Sequence, residues 1–321
     1  MNMSRTLLAL AFAATSATAL AQNLPPAPLH LLVGFAPGGA NDAIARLIAT
    51  PLQNRLQLTV VVENKPGGGS TVAAAEMAKA PPTGQVMLLG STGGQAIAPS
   101  MYPKLPYDAV KGVQPVALLS KSANAIVVND ALPVKNVAEL IALARAKPDL
   151  LNTASPGNGT GSHLAAEYFK SMAGVRITHV PYRGDAPAMQ DVMAGQAQLT
   201  FASLPSAIAG VASGKVRIIA VTGPKRVAQL PNVPTVSESG LPGYEVETWY
   251  GVFTTGGTPA AVVNRMSSEI GQIVATPEVR EAIARMGMEA MPSTAGEFAR
   301  IVNNDMDRWG KVVRAAGIKV E

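Results

Sequence analysis

The sequence lacks cysteine altogether and holds only three histidines and 4% aromatic residues in 321. Without cysteine there can be no disulfide framework, thiol nucleophile or thiolate metal centre. His30, His163 and His179 show no ligand spacing such as i, i+4, so neither a zinc site nor any other metal site is expected. Charged residues make up 15% of the chain, with a net charge of +5. The basic residues are scattered, the nearest approaches to clusters being Lys215/Arg217 and Lys225-Arg226. A nucleic-acid site needs a basic patch with stacking aromatics, so no nucleic-acid partner is expected. The 30 glycines and 25 prolines follow no collagen-like period.

What is present begins with an address. Residues 1–21 carry one positive charge (Arg5), an apolar run from Leu7 to Ala14, and small residues ending in Ala19-Leu20-Ala21. This is the layout of a secretory signal peptide cleaved after Ala21, and its apolar run is shorter than the roughly 20 residues of a membrane span. No later run is long and apolar enough to be a second span. An exported, periplasmic protein is expected, which removes it from cytosolic pools of ATP and NAD. At roughly 150 residues per domain, the length suggests about two domains. The expected division is a lobe at 22–122 plus 247–321 and a second at 123–246, because the non-helical stretch 231–243 precedes helices with too few strands of their own.

The body alternates short β-branched runs with helical periodicity. Leu29–Phe35 precedes apolar residues at 44, 47, 48, 52 and 56, and Leu58–Val62 precedes the Ala-rich stretch Thr71–Lys79. Strands are read at 86–89, 125–128, 152–155, 177–180, 198–202 and 216–221, and helices at 137–146, 164–172 and 188–193. Thr258-Pro259 and Thr276-Pro277 pair an N-cap hydroxyl with proline at the first helical position. Thr294 and Glu297 form a capping box before the last helix. Alternation of this kind points to βαβ units in an α/β protein.

Four turns between strand and helix carry the chemical signal: 37–42, 66–70, 90–94 and 155–162. Glycines there let backbone N–H groups face a concavity, and the following helix adds the positive end of its dipole. An anion can be held in this way without lysine or arginine. Hydroxyls at Ser91, Thr92, Ser155, Thr160 and Ser162 add donors, and Asp42 reads first as a helix cap. Enzyme signatures are missing. Ala154-Ser155-Pro156-Gly157 has Thr153 where a nucleophile elbow needs glycine, and Gly210–Lys215 is too short for a phosphate loop. Gly157-Asn158-Gly159 ends in Ser162 where a dinucleotide fingerprint has its third glycine, so no cofactor is expected.

The stretches FAPGGANDAIAR (35–46), NKPGGGSTVAAAEMAKAPPTG (64–84) and LPYDAVKGVQPVALL (105–119) resemble the Bug family, the extracytoplasmic solute receptors of tripartite tricarboxylate transporters. So do GNGTGSHLAAEYFKSMAG (157–174), ITHVPYRGDAPAMQDVMAGQ (177–196), LPNVPTVSESGLPGYEVETWYG (230–251) and WGKVVRAAGIK (309–319). The resemblance implies an α/β, two-lobed periplasmic-binding-protein-like (type II) fold, each lobe a mostly parallel sheet flanked by helices, with a ligand cleft between them. It implies a small carboxylate as ligand: a di- or tricarboxylate, an aromatic carboxylate or an acidic amino acid. Ligand contacts are implied for Phe35, Ala36, Gly38, Gly39 and Asp42 on one side, and for Ser155, Gly159, Thr160, Ser162 and His163 on the other. Ser91 and Thr92 belong to the floor. Near Phe201, where family members often carry an acidic or amide residue, this chain places Ser203 at the far end of the pocket. The implied partners are membrane permease subunits, or a sensor, with the receptor acting as a monomer. Competing readings are an exported hydrolase using Ser155 or Ser162 with His163, and an interaction protein with a vestigial cleft.

Overall fold

The computed structural model describes residues 26–102 and 104–315, so the signal segment lies outside the described residues. The first unit is β1 (Leu29–Val33), α1 (Ala40–Leu56) and β2 (Val60–Asn64). Strand β1 is buried on both faces, and α1 buries Ile44, Ala45, Ile48, Leu52 and Leu56 at helical spacing against it. Then come α2 (Thr71–Lys79), β3 (Val86–Ser91), a π-helical turn at Gly93–Ile97 and the short α3 (Ala98–Met101). Strand β4 (Val113–Asn129) follows, 17 residues long.

The middle of the chain forms α4 (Val137–Ala146), β5 (Asn152–Ser155), α5 (Gly161–Ala173), β6 (Thr178–Pro181) and α6 (Asp185–Met193). It ends with β7 (Leu199–Ser203), α7 (Leu204–Val211) and β8 (Val216–Val221). The chain then passes through β9 (Glu247–Thr255), α8 (Ala260–Ala275), α9 (Pro277–Arg285), the two-residue β10 (Glu289–Ala290) and α10 (Ala295–Ala315).

The strand order β2-β1-β3-β9-β4-β7-β5-β6 describes two lobes joined through one strand. The first half of β4 pairs antiparallel with β9, which itself pairs antiparallel with β3. From Asn124 onward β4 pairs with β7 on one side, and from Ala125 with β8 on the other. Parallel pairing is confined to β2-β1-β3 and to β6-β5-β7. The strands at the crossing are antiparallel, so each lobe has a mixed sheet.

The periodicity located most elements. It saw only the last part of β4 and none of β9. Ser120, Lys121 and Ser122 interrupt the apolar pattern of β4, and Pro115 lies at one of two register shifts against β9, where a missing N–H is tolerated. The Thr294–Glu297 capping box forms in both directions: Glu297 N–H donates to Thr294 Oγ1 (3.2 Å), and Thr294 N–H to Glu297 Oε2 (2.9 Å). Thr276 caps α9 as expected. At α8 the helix starts one residue later than the sequence suggested. Pro259 is the cap residue, and the Thr258 hydroxyl instead donates to the Thr255 carbonyl.

Helix α10 touches both lobes. Phe298 and Val302 pack with Trp249 and Phe253, whereas Trp309 and Val313 join the cluster that holds Leu164 and Phe169. The lobes also meet directly. Ala36 N–H donates to the Arg183 carbonyl (3.0 Å), and the Tyr102 hydroxyl to the Asn158 carbonyl (3.2 Å). The turn 66–70 presses against the same carbonyl: Gly69 has φ +60°, and a Cβ there would fall 2.0 Å from Asn158 O. Gly69→Ala should therefore disfavour the closed arrangement. Its radius of gyration by small-angle scattering should exceed that of the wild type, and left-handed strain should lower stability in urea by about 1–3 kcal/mol.

Candidate functional site

Between the lobes lies a cleft with about 400 Å³ of empty space, on the scale of a small ligand. Helix starts surround it: Gly39, Ala40 and Asn41 at α1, Thr160, Gly161 and Ser162 at α5, Asp185 at α6, and Ser203 before α7. Each strand runs directly into the turn that starts the next helix, so N-termini rather than C-termini converge on the gap. The first backbone donors of such helices have no intrahelical partner. Gly39 and Ser203 provide no side-chain cap to their own helices. The floor comes from Ser91 of β3, Asn124 of β4, and Thr248 and Tyr250 of β9, with Phe35 and Pro156 at the sides.

Three polar atoms in this lining have no protein partner although they are buried: Asn41 Oδ1, Asn124 Nδ2 and Thr248 Oγ1. Their residues are 8%, 2% and 5% exposed. An unsatisfied buried polar group costs about 1–3 kcal/mol, and three around one cavity form a set that a polar ligand can complete. The lining contains no lysine or arginine.

Of the residues expected at the ligand, Phe35, Gly39, Ser91, Thr160, Ser162 and Ser203 line the cavity. The others stand behind it. Ala36 is occupied by its bond to Arg183. Gly38 N–H donates to Asp42 Oδ2 (3.1 Å), and Asp42 also receives Arg46 Nε (3.0 Å) and Asn64 Nδ2 (3.0 Å). Burial pushes the Asp42 carboxyl up, but these hydrogen bonds and the Arg46 charge together hold it below the usual range. Asp42 thus organises the turn before α1. Thr92 Oγ1 accepts from Trp249 N–H (2.8 Å) and fixes β9. The 66–70 turn contributes nothing to the lining and acts as an interlobe contact.

The second lobe hides a histidine pair. His163 and His179 stack with ring centroids 3.9 Å apart. His163 Nδ1 accepts from Gly159 N–H (3.2 Å), and Ser155 Oγ lies 2.6 Å from His179 Nε2. Ser155 is therefore matched with His179 and not with His163, and neither group lines the cavity. Burial, reinforced by His163, pushes the His179 imidazole down to about 3. A base that weak is poorly matched to proton transfer near neutral pH, and His163 has its Nδ1 engaged by Gly159 rather than by a serine hydroxyl. Among the described residues, no group of three or more His, Asp or Glu side chains could hold a metal ion.

Asn41, Asn124, Thr248, Asp185 and Tyr250 were not anticipated. Asp185 follows Gly184 in another strand-to-helix turn, and that turn was the available signal. Asn124, Thr248 and Tyr250 lie within strands and reach the cavity only through pairing.

Two lobes joined by a continuous strand, with a donor-lined cavity between them, define a solute-binding protein of the two-lobed periplasmic type. The comparisons agree. Residues 44–318 match the family model described as "Tripartite tricarboxylate transporter family receptor", and the chain belongs to that family. It is similar to R. palustris Rpa4515 with adipate at TM-score 0.88 and 34% identity, covering 92% of this chain and 99% of that one. The periplasmic binding protein BugD gives 0.87 and 32%, covering 92% and 100%. MatC from Rhodopseudomonas palustris with bound malate gives 0.86 and 30%, covering 90% and 99%. Proteins of this family are solute receptors rather than enzymes.

The buried imidazole has a pH consequence. An unfolded histidine titrates near 6.5, so between about 6.5 and about 3 the unfolded chain binds a proton that native His179 refuses. Native stability should fall as pH drops through that window. Measured by urea unfolding at about pH 7 and pH 4.5, wild type should lose about 2–3 kcal/mol more than His179→Gln.

Proposed function

We propose that this protein is a periplasmic receptor that captures a small carboxylate between its lobes and delivers it to the permease of a tripartite tricarboxylate-type transporter. It acts as a monomer, with residues 1–21 removed after Ala21. The lobes are 22–122 plus 247–321 and 123–246, with α10 strapped across them. The observation that carries this reading is the interlobe cavity whose buried Asn41, Asn124 and Thr248 atoms lack partners, ringed by helix N-termini and free of basic side chains. Uncapped backbone donors and amide or hydroxyl groups suit a carboxylate. The adipate and malate held by two structural neighbours support the same ligand class. Thr160, Gly161 and Ser162 hold the carboxylate from one lobe, and the first turn of α1 closes over it from the other.

Protein stripped of ligand by unfolding and refolding should be stabilised by small carboxylates and not by neutral sugars. At about a hundred times its dissociation constant, a ligand contributes about 2.7 kcal/mol, a clear rise in Tm. Asn124→Leu should retain the fold and weaken binding about tenfold or more. The absence of a shift with every carboxylate would overturn the proposal.

A further inference from the structure

We propose that Asp185 sets the ligand class: its carboxylate stands where a second ligand carboxylate would bind, so the receptor selects short monocarboxylates carrying an ammonium or hydroxyl donor over dicarboxylates. This rests on the carboxylate-receptor reading and narrows it.

The geometry begins with the donors that Asp185 has already taken. Its Oδ2 accepts the Ser203 hydroxyl at 2.8 Å. The carboxylate also lies toward the backbone N–H groups of Ser203, at the start of α7, and of Ala40, at the start of α1 in the other lobe, both of which favour its charged form. It packs so closely on α1 that a Cβ on Gly39 would lie 3.3 Å from Oδ2. As a residue Asp185 keeps some exposure, while its carboxylate is enclosed by these contacts. Two of the helix starts around the cavity thus already face an anion supplied by the chain itself.

No cation offsets a second charge. Asp185 is the one acidic side chain in a lining without lysine or arginine. A ligand carboxylate at this end would face it at short range, and such like-charge contacts are strongly unfavourable.

An independent observation indicates what belongs there instead. Asn41 Oδ1, one residue along from Ala40, is a buried acceptor without a donor. At its end of the cavity α1 therefore offers an orphan acceptor in the same turn that Asp185 contacts, and an ammonium or hydroxyl group supplies the donor. At the other end the start of α5, with Ser162 and the unpartnered Thr248 hydroxyl, remains free for the single carboxylate. Burial dominates and holds the Asp185 carboxyl above the usual carboxylate range, with the Ser203 hydroxyl and the facing backbone N–H groups offsetting part of that push.

The test uses ligand-stripped mature protein and calorimetry with length-matched pairs: β-alanine against malonate, 4-aminobutyrate against succinate, 5-aminovalerate against glutarate, together with 4-hydroxybutyrate. Wild type should bind the best donor-bearing monocarboxylate at least about tenfold more tightly than its dicarboxylate match. In Asp185→Asn that preference should shrink about tenfold or invert, with Asp185→Ser as a second variant and thermal unfolding as the folding control. If wild type binds a dicarboxylate as tightly as its partner, or if the preference survives in both folded variants, the role of Asp185 is overturned and the carboxylate receptor stands. If no carboxylate binds wild type or either variant, the receptor reading falls and this inference with it.

Discussion

The pairing of β4 with β9 is the constraint on which the site depends. Strand β4 runs across the junction between lobes: Ser122 lies opposite Thr248 of β9, and two residues on Asn124 lies opposite Ser203 of β7. One strand therefore ties the sheets together and sets the cavity floor. Asn124 is held between β7 and the Thr222 N–H, and Thr248 by its pairing with β4, so neither backbone can shift without disturbing the junction. Their unpartnered atoms are a consequence of position. The helix N-termini gather around this floor because the parallel strands of each lobe end facing it.

The architecture was legible where burial is periodic. The apolar stripe of α1, the Ala-rich α2 and the caps at Thr276 and Thr294 are local signals, and the structure realises them. The two strands that build the junction were not legible in full. Ser120, Lys121 and Ser122 break the pattern of β4 because the strand changes partners there, and no local rule marks a change of partner.

Half of the candidate site followed the same division. The Gly-rich turns led to Gly39, Thr160 and Ser162, since a helix start after a strand is visible in sequence, and the family resemblance added Phe35. The same two routes reached Ala36, Gly38 and Asp42, which serve the turn instead of the cavity: a turn needs an internal set of hydrogen bonds to expose a few backbone donors. Arg46, Asn64 and Gly38 satisfy Asp42 completely enough to leave it behind the wall. His163 and Ser155 are likewise absorbed into the packing that supports the start of α5, through Gly159 and His179. Local pattern and resemblance identified the walls and Ser91 of the floor, and tertiary pairing added Asn124, Thr248 and Tyr250.

A cavity that binds an anion with backbone dipoles gains specificity differently from one that uses arginine. A guanidinium attracts any carboxylate that reaches it, whereas a helix start rewards only an oxygen placed close to its first N–H groups, because the dipole's influence fades within a turn. Each such start is a single position, and whichever group fills it excludes the others. In this chain Asp185 stands at two such starts at once, bonded by the Ser203 hydroxyl and packed against Gly39 of the other lobe. Closure consequently includes an anion contact that the protein supplies, and the ligand has to complete only what is left: the start of α5, and the orphaned groups of Asn41, Asn124 and Thr248. The polar character of that remainder, rather than the net charge of the protein, determines what the lobes can close upon.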